Sequence, residues 1–392
     1  MDAIEQLVRK INAAGVPYCI AVTGGGSNVI SSLQTIPGAS QAFLEGVVPY
    51  HQNALVKYLG CTPGKFCSSN TARMMAMRAF ENAKNYAKLN SVVGIACTAS
   101  LASSEPKKGD HRFHIAYHNE NNNFCRTVTL KKDVRHRIEE ELILGIELLI
   151  LLARAVGIEN NELESRLFDT EIESIVDAET PDVPENWKQL VRGDINVIPY
   201  RCEIGEFQNV VARNKSTDPF TFDGILPCAL LSGAFNPLHN GHREMKRVAE
   251  AILGCPVAYE LSILNVDKAS LGYLDLSERF TQFDPKDEVV FTRLPRFVDK
   301  ACEFNNTCFV VGLDTWLRIG LRPTWNEEMK SLVEAGAMFL VFGRYNMGSE
   351  KFEVMSDYKD KVPSVLYDMS REVPESKFRA DLSSSQIRQV QS

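Results

Sequence analysis

The feature that most constrains this chain is a repeated alternation of short apolar runs with longer segments of helical periodicity. Runs such as Tyr18–Val22 and Cys308–Gly312 are apolar throughout, as expected for strands that are buried on both faces of a sheet. The segments between such runs place apolar residues every three or four positions, which aligns them on one face of a helix. Strands that alternate with helices predict an α/β fold, in which helices pack on largely parallel sheets.

The alternation occupies residues 1–158 and 227–392, and a segment of different composition separates the two regions. The intervening residues 159–226 begin with ENNELESRLFDTEIESIVDAETPDVPENW, in which Arg166 is the only basic residue. An acidic run of this kind is typical of a solvated surface, and we predict an exposed helix followed by a linker. Because 392 residues exceed one domain of ordinary size, the sequence predicts two α/β domains joined by this segment.

The periodicity also predicts individual elements. In the first region we predict helices over 2–13, 27–34, 68–88 and 133–156, and strands over 18–22, 42–50, 92–97, 113–118 and 124–130. In the second region we predict strands over 228–233, 259–264, 308–312 and 338–342, and helices over 241–253, 296–304, 326–335 and 383–391.

Composition limits the environment and the partners of the protein. A net charge of −7 argues against general nucleic-acid binding, which normally needs a dominant basic surface. The ten cysteines form no CxxC pair and several lie in apolar runs, a usage that predicts a reducing, cytoplasmic location. The most apolar segment, Leu142–Ile158, contains Glu147 and Arg154, so we predict a buried helix and no membrane span.

The segment SGAFNPLHNGHREM, residues 232–245, carries the strongest chemical signal. An apolar run ends in Gly233 and a predicted helix begins near Gly241, so His239 and His242 lie where a strand gives way to a helix N-terminus. Backbone N–H groups and the helix dipole favour phosphate there, and imidazole can donate hydrogen bonds to phosphoryl oxygens or, as His⁺, offset their charge. A metal site would need further ligands that the neighbouring sequence does not supply, so we predict no metal.

A second segment with phosphate-binding character lies at residues 381–388, which read DLSSSQIR. Serines that open a helix offer hydroxyl and N–H groups to a phosphate, and Arg388, one turn later, adds a bidentate cation. A flexible polar tail is the alternative interpretation of these residues taken alone.

Together the two segments resemble the nucleotidylyltransferase superfamily that carries the HxGH motif. SGAFNPLHNGH matches the pattern G-x-F-(N/D)-P-x-H-x-G-H, and DLSSSQIR is similar to I-S-S-T-x-x-R with serine in place of threonine. The resemblance implies a Rossmann-like nucleotidylyltransferase domain in which His239, His242, Lys268 and Arg388 are catalytic. It also implies nucleotide binding by Gly233, Ala234, Phe235, Asn236, Gly241, Gly312, Asp314, Ser383, Ser384 and Ser385.

The residues between the two motifs narrow this resemblance. CFVVGLDTWLRIGLRPTWNEEMKSLVEAGAMFLVFGR is similar to a segment of the nicotinate and nicotinamide mononucleotide adenylyltransferases, which implies acceptor binding by Trp325 and Arg344. A core tryptophan at the start of a helix is the alternative for Trp325. Lys268 and Arg279 in NVDKASLGYLDLSERF resemble a lysine and an arginine of the family, and a surface salt bridge is the alternative for Arg279.

These resemblances imply a function in NAD synthesis, with small-molecule nucleotides as partners. AMP would pass from ATP to nicotinamide or nicotinic acid mononucleotide with release of pyrophosphate, and Mg²⁺ would bridge the phosphates. Another phosphorylated acceptor, CTP in place of ATP, and a non-catalytic nucleotide-sensing role remain alternatives.

The first region carries a different set of motifs. Residues 22–60 read VTGGGSNVISSLQTIPGASQAFLEGVVPYHQNALVKYLG, and GIAC follows at 94–97. They resemble the CinA C-terminal domain family of nicotinamide mononucleotide deamidases, over roughly residues 15–156. The positions of that family's catalytic serine and lysine are Ala21 and Leu55, so the resemblance implies an N-terminal CinA-like α/β domain without deamidase activity. Nucleotide binding, a structural role, and assembly of a homo-oligomer through this domain remain open.

Overall fold

The computed structural model describes residues 3–105, 107–158, 172–180, 182–201, 208–209, 229–265, 270–322, 325–346 and 348–379. The chain forms two compact units. One comprises Met1–Arg192 with Asp267–Leu276, and the other comprises Gly193–Val266 with Ser277–Ser392.

The first unit contains one mixed sheet. Its strands are β1 (Tyr18–Thr23), β2 (Phe43–Val47), β3 (Val93–Ser100), β4 (His111–His118), β5 (Asn123–Leu130) and β6 (Ile172–Glu179). They follow the order β2-β1-β3-β4-β5-β6, in which β2, β1 and β3 are parallel and β4 to β6 extend the sheet by antiparallel pairing.

The helices of this unit cover both faces of the sheet. They are α1 (Ala3–Ala14), α2 (Asn28–Thr35), α3 (Gln52–Leu59), α4 (Ser69–Ala87), α5 (Arg137–Ala155) and α6 (Glu185–Arg192), with a 3₁₀ turn at Ala39–Gln41. Among the helices that the structure describes, none has the length and apolar character needed to cross a bilayer.

Alternate residues of β1 face two different helix layers, as the period of two in a strand requires. Ile20 and Val22 belong to a core built with α1, α2 and α5, whereas Ala21 packs with residues of α3 and α4 on the other face. The second layer approaches very closely, since a Cβ atom on Gly94 of β3 would lie 2.1 Å from the backbone nitrogen of Phe80 in α4.

The segment between the two predicted domains differs from the prediction of an acidic helix and a linker. Residues 159–171 lie outside the described residues, but Ile172–Glu179 forms the edge strand β6. Ile175 packs against the core, and Asp177 pairs across the strands with the Arg126 guanidinium at 2.9 Å. One partly buried branched side chain and one cross-strand ion pair therefore outweigh the acidic pattern that suggested a solvated helix.

A short segment from later in the chain completes the first unit. Residues 267–276 belong to it, although the predicted boundary at 227 assigned them to the second domain. The Tyr273 hydroxyl donates to the backbone oxygen of Glu120 at 2.9 Å, and Asp275 forms an ion pair with Arg73 at 3.2 Å. Both partners of the ion pair are largely buried, and such a long-range pairing leaves no trace in a local sequence pattern.

The second unit contains a larger sheet. Its strands are β7 (Val197–Arg201), β8 (Gln208–Asn209), β9 (Ala229–Ser232), β10 (Val257–Ser262), β11 (Glu288–Thr292), β12 (Cys308–Gly312), β13 (Met338–Phe342) and β16 (Ser370–Val373), while β14 (Arg344–Asn346) and β15 (Lys351–Glu353) form a separate hairpin. The helices are α7 (Asn240–Leu253), α8 (Tyr273–Phe280), α9 (Phe297–Glu303), α10 (Leu313–Gly320), α11 (Trp325–Glu334) and α12 (Ser364–Asp368), with a 3₁₀ helix at Met355–Lys361. The first turn of α8 lies in the segment that belongs to the first unit.

The strand order of this sheet creates one topological switch point. The order is β16-β13-β12-β9-β10-β11-β7-β8, with parallel pairing from β16 to β11 and antiparallel pairing of β11 with β7. The six parallel strands therefore follow the doubly wound order 3-2-1-4-5-6, which reverses direction between β9 and β12. Ligands of such sheets bind beyond the carboxyl ends of the strands at the reversal.

His118, at the end of β4 in the first unit, is buried in apolar surroundings. Its ring packs on the rings of Phe80 and Tyr273, with centroids 4.7 and 4.8 Å away. Neither ring nitrogen has a hydrogen-bond partner among the described residues. Burial therefore lowers the pKa of His118 from 6.5 to about 3.

Replacing His118 by leucine should make the first unit less sensitive to acid. The unfolded chain binds a proton at His118 below pH 6.5, whereas the folded chain binds it only near pH 3, so stability falls as the pH is lowered through this window. One proton corresponds to about 1.4 kcal/mol per pH unit. Guanidinium unfolding followed by circular dichroism should show a shallower decline for His118→Leu than for the wild type. His51→Gln, at an exposed histidine, is the control, and equal slopes for His118→Leu and the wild type would contradict the assignment.

Candidate functional site

The loop between β9 and α7, residues 233–239, is held by one buried aromatic side chain. Phe235 is 1% exposed although its backbone has a φ of +43°, and a cis peptide bond joins Asn236 to Pro237. The Phe235 ring makes edge-to-face contacts with Tyr259 and Phe283, at centroid distances of 5.3 and 5.5 Å. We call residues 233–239 the motif loop.

Two side chains near the end of α8 hold the backbone of the motif loop. Arg279 donates from Nη1 to the backbone oxygen of Ala234 at 2.9 Å. Gln282 donates to the oxygen of Phe235 at 3.3 Å and accepts from the N–H of Leu238 at 2.8 Å. Arg279 therefore supports the loop, which the sequence left undecided, and Gln282 has a role that no motif indicated.

The two histidines of the motif cap helix α7 and stack on each other. The N–H of Gly241 donates to Nδ1 of His239 at 3.1 Å, and the N–H of His239 donates to Nδ1 of His242 at 3.3 Å. The two ring centroids are 3.8 Å apart with an interplanar angle of 27°. Because each Nδ1 accepts a backbone hydrogen bond, it carries no proton, and the neutral ring must carry its proton on Nε2.

Burial keeps both rings neutral near pH 7. It lowers the pKa of His239, and it lowers the pKa of His242 to about 3, with a further contribution from the repulsion that a protonated His239 would exert. The site in its free state therefore offers two Nε2–H donors at a helix N-terminus and not the imidazolium charge that the sequence also allowed. Donors and a helix dipole in this arrangement favour a phosphate group.

The structure places further predicted residues at the same edge of the sheet. Leu231 of β9 lies opposite Val310 of β12, so the motif loop and Gly312 follow neighbouring strands at the switch point. Asp314, in the first turn of α10, forms an ion pair with Arg344 at the start of β14, and both side chains are about half-exposed. The predicted nucleotide ligand Asp314 and the predicted acceptor ligand Arg344 therefore contact each other directly.

Other predicted site residues lie outside the described part of the chain. This applies to Lys268, Ser383, Ser384, Ser385 and Arg388, and only the backbone of Trp325, the first residue of α11, is described. Within the described residues no group of three or more His, Cys, Asp or Glu side chains is arranged to hold a metal ion.

A buried ion pair lies beside the motif loop. Lys300 of α9 donates to the carboxylate of Glu260 in β10 at 2.7 Å, and the Thr292 hydroxyl donates to the other carboxylate oxygen at 2.6 Å. The Glu260 side chain is fully buried, and its backbone oxygen accepts from the N–H of Gly233, the first residue of the loop, at 3.1 Å. The pair therefore fixes the strand end from which the motif loop departs.

Removing one member of this pair should destabilise the second unit strongly. Lys300→Met leaves the Glu260 carboxylate buried without its cation, which should cost about 3–5 kcal/mol. The double variant Lys300→Met with Glu260→Met removes both charges and should recover most of the loss. Urea unfolding measures the three stabilities, and a double variant no more stable than Lys300→Met would show that the pair itself supplies the stability.

The glycine-rich turn of the first unit is packed against its own chain. A Cβ atom on Gly24 would lie 2.0 Å from the backbone oxygen of Ala99. The N–H of Gly26 donates to the Glu141 carboxylate at 2.5 Å, and Arg137 donates to the oxygen of Gly24 at 2.8 Å. Close packing thus accounts for these glycines, and an internal carboxylate occupies the donor that an anionic ligand would need.

The two positions where the deamidase pattern has serine and lysine lie together in an apolar cluster. Ala21 is completely buried and Leu55 is 2% exposed, and both pack with Leu59, Ala72 and Met75. Neither position offers a hydroxyl or an amine. The first unit is therefore an α/β domain that lacks a serine–lysine pair at the end of β1.

Comparison with known proteins assigns a family to this part of the chain. Residues 3–151 match the family model described as the CinA C-terminal domain, so the N-terminal part of the chain is a CinA-like domain. No curated protein matches the chain.

Several solved structures resemble part of the chain. The competence/damage inducible protein CihA from Agrobacterium tumefaciens is 21% identical, with a TM-score of 0.34, and the match covers 40% of this chain and 96% of that one. The CinA superfamily protein from Escherichia coli is 20% identical, with a TM-score of 0.31 and coverage of 39% and 88%. The competence or damage-inducible protein from Enterobacter asburiae is 17% identical, with a TM-score of 0.33 and coverage of 40% and 99%.

The purified protein should release no ammonia from nicotinamide mononucleotide. Amide hydrolysis through serine needs an activated hydroxyl and a base, and Ala21 and Leu55 supply neither. A coupled glutamate dehydrogenase assay measures the ammonia. Release that disappears in the Lys57→Ala variant would contradict this expectation, because it would identify Lys57 as a base.

Proposed function

We propose that the second unit is a Rossmann-like nucleotidylyltransferase that moves AMP from ATP to a phosphorylated small molecule and releases pyrophosphate. The observation that carries the proposal is the position of the motif loop. It lies at the switch point of a doubly wound sheet and presents two stacked, neutral histidines at a helix N-terminus.

The chemistry would need no covalent enzyme intermediate. An acceptor phosphate oxygen attacks the α-phosphorus of ATP, the new P–O bond forms in line, and the bond to the β-phosphate oxygen breaks. Negative charge grows on the phosphoryl oxygens, and preorganised donors stabilise it without reorganising. The Nε2–H groups of His239 and His242 are such donors, and a bound phosphate would raise the pKa of both rings toward the charged form.

The remaining predicted residues would complete the phosphate site. Arg388 would supply a cation, and the hydroxyls of Ser383, Ser384 and Ser385 would supply further donors. Lys268 belongs to the segment that is grouped with the first unit, and its role stays a prediction from motif alone. Mg²⁺ would arrive with ATP, because it is usually bound through substrate phosphates and one or two carboxylates. Asp314, in the first turn of the helix that follows the neighbouring strand β12, is the carboxylate that would take this role.

Nicotinamide or nicotinic acid mononucleotide is the acceptor that we propose. Two independent resemblances support it: the segment from Cys308 to Arg344 is similar to pyridine mononucleotide adenylyltransferases, and the N-terminal CinA-like domain resembles pyridine mononucleotide deamidases. Trp325 would stack on the flat pyridine ring, and Arg344 would exchange its Asp314 partner for the acceptor phosphate.

His242→Ala should lower the rate of pyrophosphate release from ATP and either mononucleotide by about 10²–10³-fold, because one transition-state donor is lost. A coupled pyrophosphatase assay measures the rate. His51→Gln, in the first unit, is the control and should retain wild-type turnover.

Two outcomes would contradict the proposal in different ways. Turnover of ATP with other phosphorylated acceptors but with neither pyridine mononucleotide would reject the acceptor alone. Unchanged turnover in His242→Ala would reject the site.

A further inference from the structure

The first unit contains an open cleft that plays no part in the proposed transfer reaction. It lies at the carboxyl end of the edge strand β2, between α3 and α4, with a volume of about 600 Å³. Its lining residues are Val47, Val48, Pro49, Ala54, Lys57, Tyr58, Arg78 and Asn82. The volume lies within the range of small-molecule sites, and the carboxyl ends of parallel strands are where such sites usually form.

The cleft borders the apolar cluster that contains Ala21 and Leu55, because Val47 and Tyr58 both line the cleft and pack against that cluster. Leu55 and Leu59 point from α3 into the buried cluster with Ala21. Ala54, Lys57 and Tyr58 of α3 line the cleft, and of these Lys57 points away from Leu55.

The acceptors around the cleft are already occupied. The Glu45 carboxylate accepts from the Asn82 amide and from the Tyr86 hydroxyl, both at 3.0 Å. The Glu81 carboxylate accepts from Arg78 Nη1 at 3.1 Å and from the Ser270 hydroxyl. The carboxylates are therefore satisfied by their own neighbours.

Several hydrogen-bond donors of the cleft, in contrast, have no acceptor in the part of the chain that the structure describes. The Tyr58 hydroxyl and Nε of Arg78 are buried and have no hydrogen-bond partner among the described residues. Lys57 is an exposed cation for which the described residues provide no counter-ion. Arg78 is fixed in place because its Nη2 donates to the backbone oxygen of Leu59 at 3.3 Å. A buried donor without a partner needs an acceptor, and a bound ligand can supply one.

We infer that this cleft binds a small organic anion, a carboxylate or a phosphate ester joined to a compact apolar group. The surplus of donors over acceptors selects an acceptor-rich, negatively charged group. The apolar wall of Val47, Val48, Pro49 and Ala54 selects an apolar body in place of a bare inorganic ion.

Isothermal titration of the full-length protein with phenyl phosphate and with benzoate tests the inference. Benzyl alcohol serves as the neutral probe of similar shape and inorganic phosphate as the probe without a ring. The titrations use the His242→Ala background, so that phosphate binding at the motif loop does not contribute. We expect saturable binding of at least one ring anion, weaker binding of inorganic phosphate, and no saturable binding of benzyl alcohol.

Variants locate the site. Lys57→Gln and Tyr58→Phe should each weaken binding by about tenfold, because each removes one donor to a charged group. Lys10→Gln, at an exposed lysine of α1, is the matched control and should bind like the parent. Circular dichroism verifies that Tyr58→Phe is folded. If that variant does not fold, Lys57→Gln still tests the inference, because the side chain at position 57 is exposed and its replacement should not disturb the fold.

Two results would overturn the inference. One is the absence of saturable binding for both ring anions, and the other is equal affinity in Lys57→Gln and Lys10→Gln. Both are independent of pyrophosphate release, so failure of the cleft and failure of the proposed transferase site can be told apart.

Discussion

Burial of the Phe235 ring is the interaction on which the rest of the motif loop depends. A positive φ at a non-glycine residue costs about 1–3 kcal/mol. Full burial of an aromatic side chain contributes about 1.5–3 kcal/mol, and each favourable aromatic contact adds about 0.5–1.5 kcal/mol. Since Phe235 contacts both Tyr259 and Phe283 edge to face, burial outweighs the backbone cost and the loop is locked in one path.

This locked path fixes the chemistry of the histidines. The Phe235 ring also contacts the His242 ring, at a centroid distance of 5.2 Å, and the backbone that follows caps helix α7 through His239. Each Nδ1 is committed to a backbone N–H, so the tautomer is set by the fold and not by a ligand. Two side chains that could titrate or rotate freely in a flexible loop are thereby converted into two oriented donors.

The sequence predicted those parts of the molecule that depend on local pattern. The apolar runs at 308–312 and 338–342 are strands with these bounds, and the helix predicted over 241–253 begins one residue earlier, at Asn240. The residues that support the site could not be predicted from local pattern. Gln282 and Lys300 act through contacts with residues far away in the chain. Strand β11, Glu288–Thr292, reads EVVFT and has only three consecutive apolar residues between polar ends, which is too short an apolar run to indicate a strand. The positions of Lys268, Ser383–Ser385 and Arg388 stay predictions from motif alone.

Helix geometry explains why the first unit can keep a lysine in α3 and still lack the lysine of the deamidase pattern. Successive residues of an α-helix are rotated by about 100°, so positions 55 and 57 are separated by about 200° and face nearly opposite directions. Leu55 therefore lies in the apolar cluster with Ala21, while Lys57 reaches the cleft beside Tyr58 and Arg78. A charged amine at position 55 would be buried in that cluster without a hydroxyl or carboxylate partner, at a high desolvation cost. Leu55 and Lys57 thus lie on different faces of one helix, and the amine of Lys57 is turned away from the position that carries lysine in the deamidase pattern.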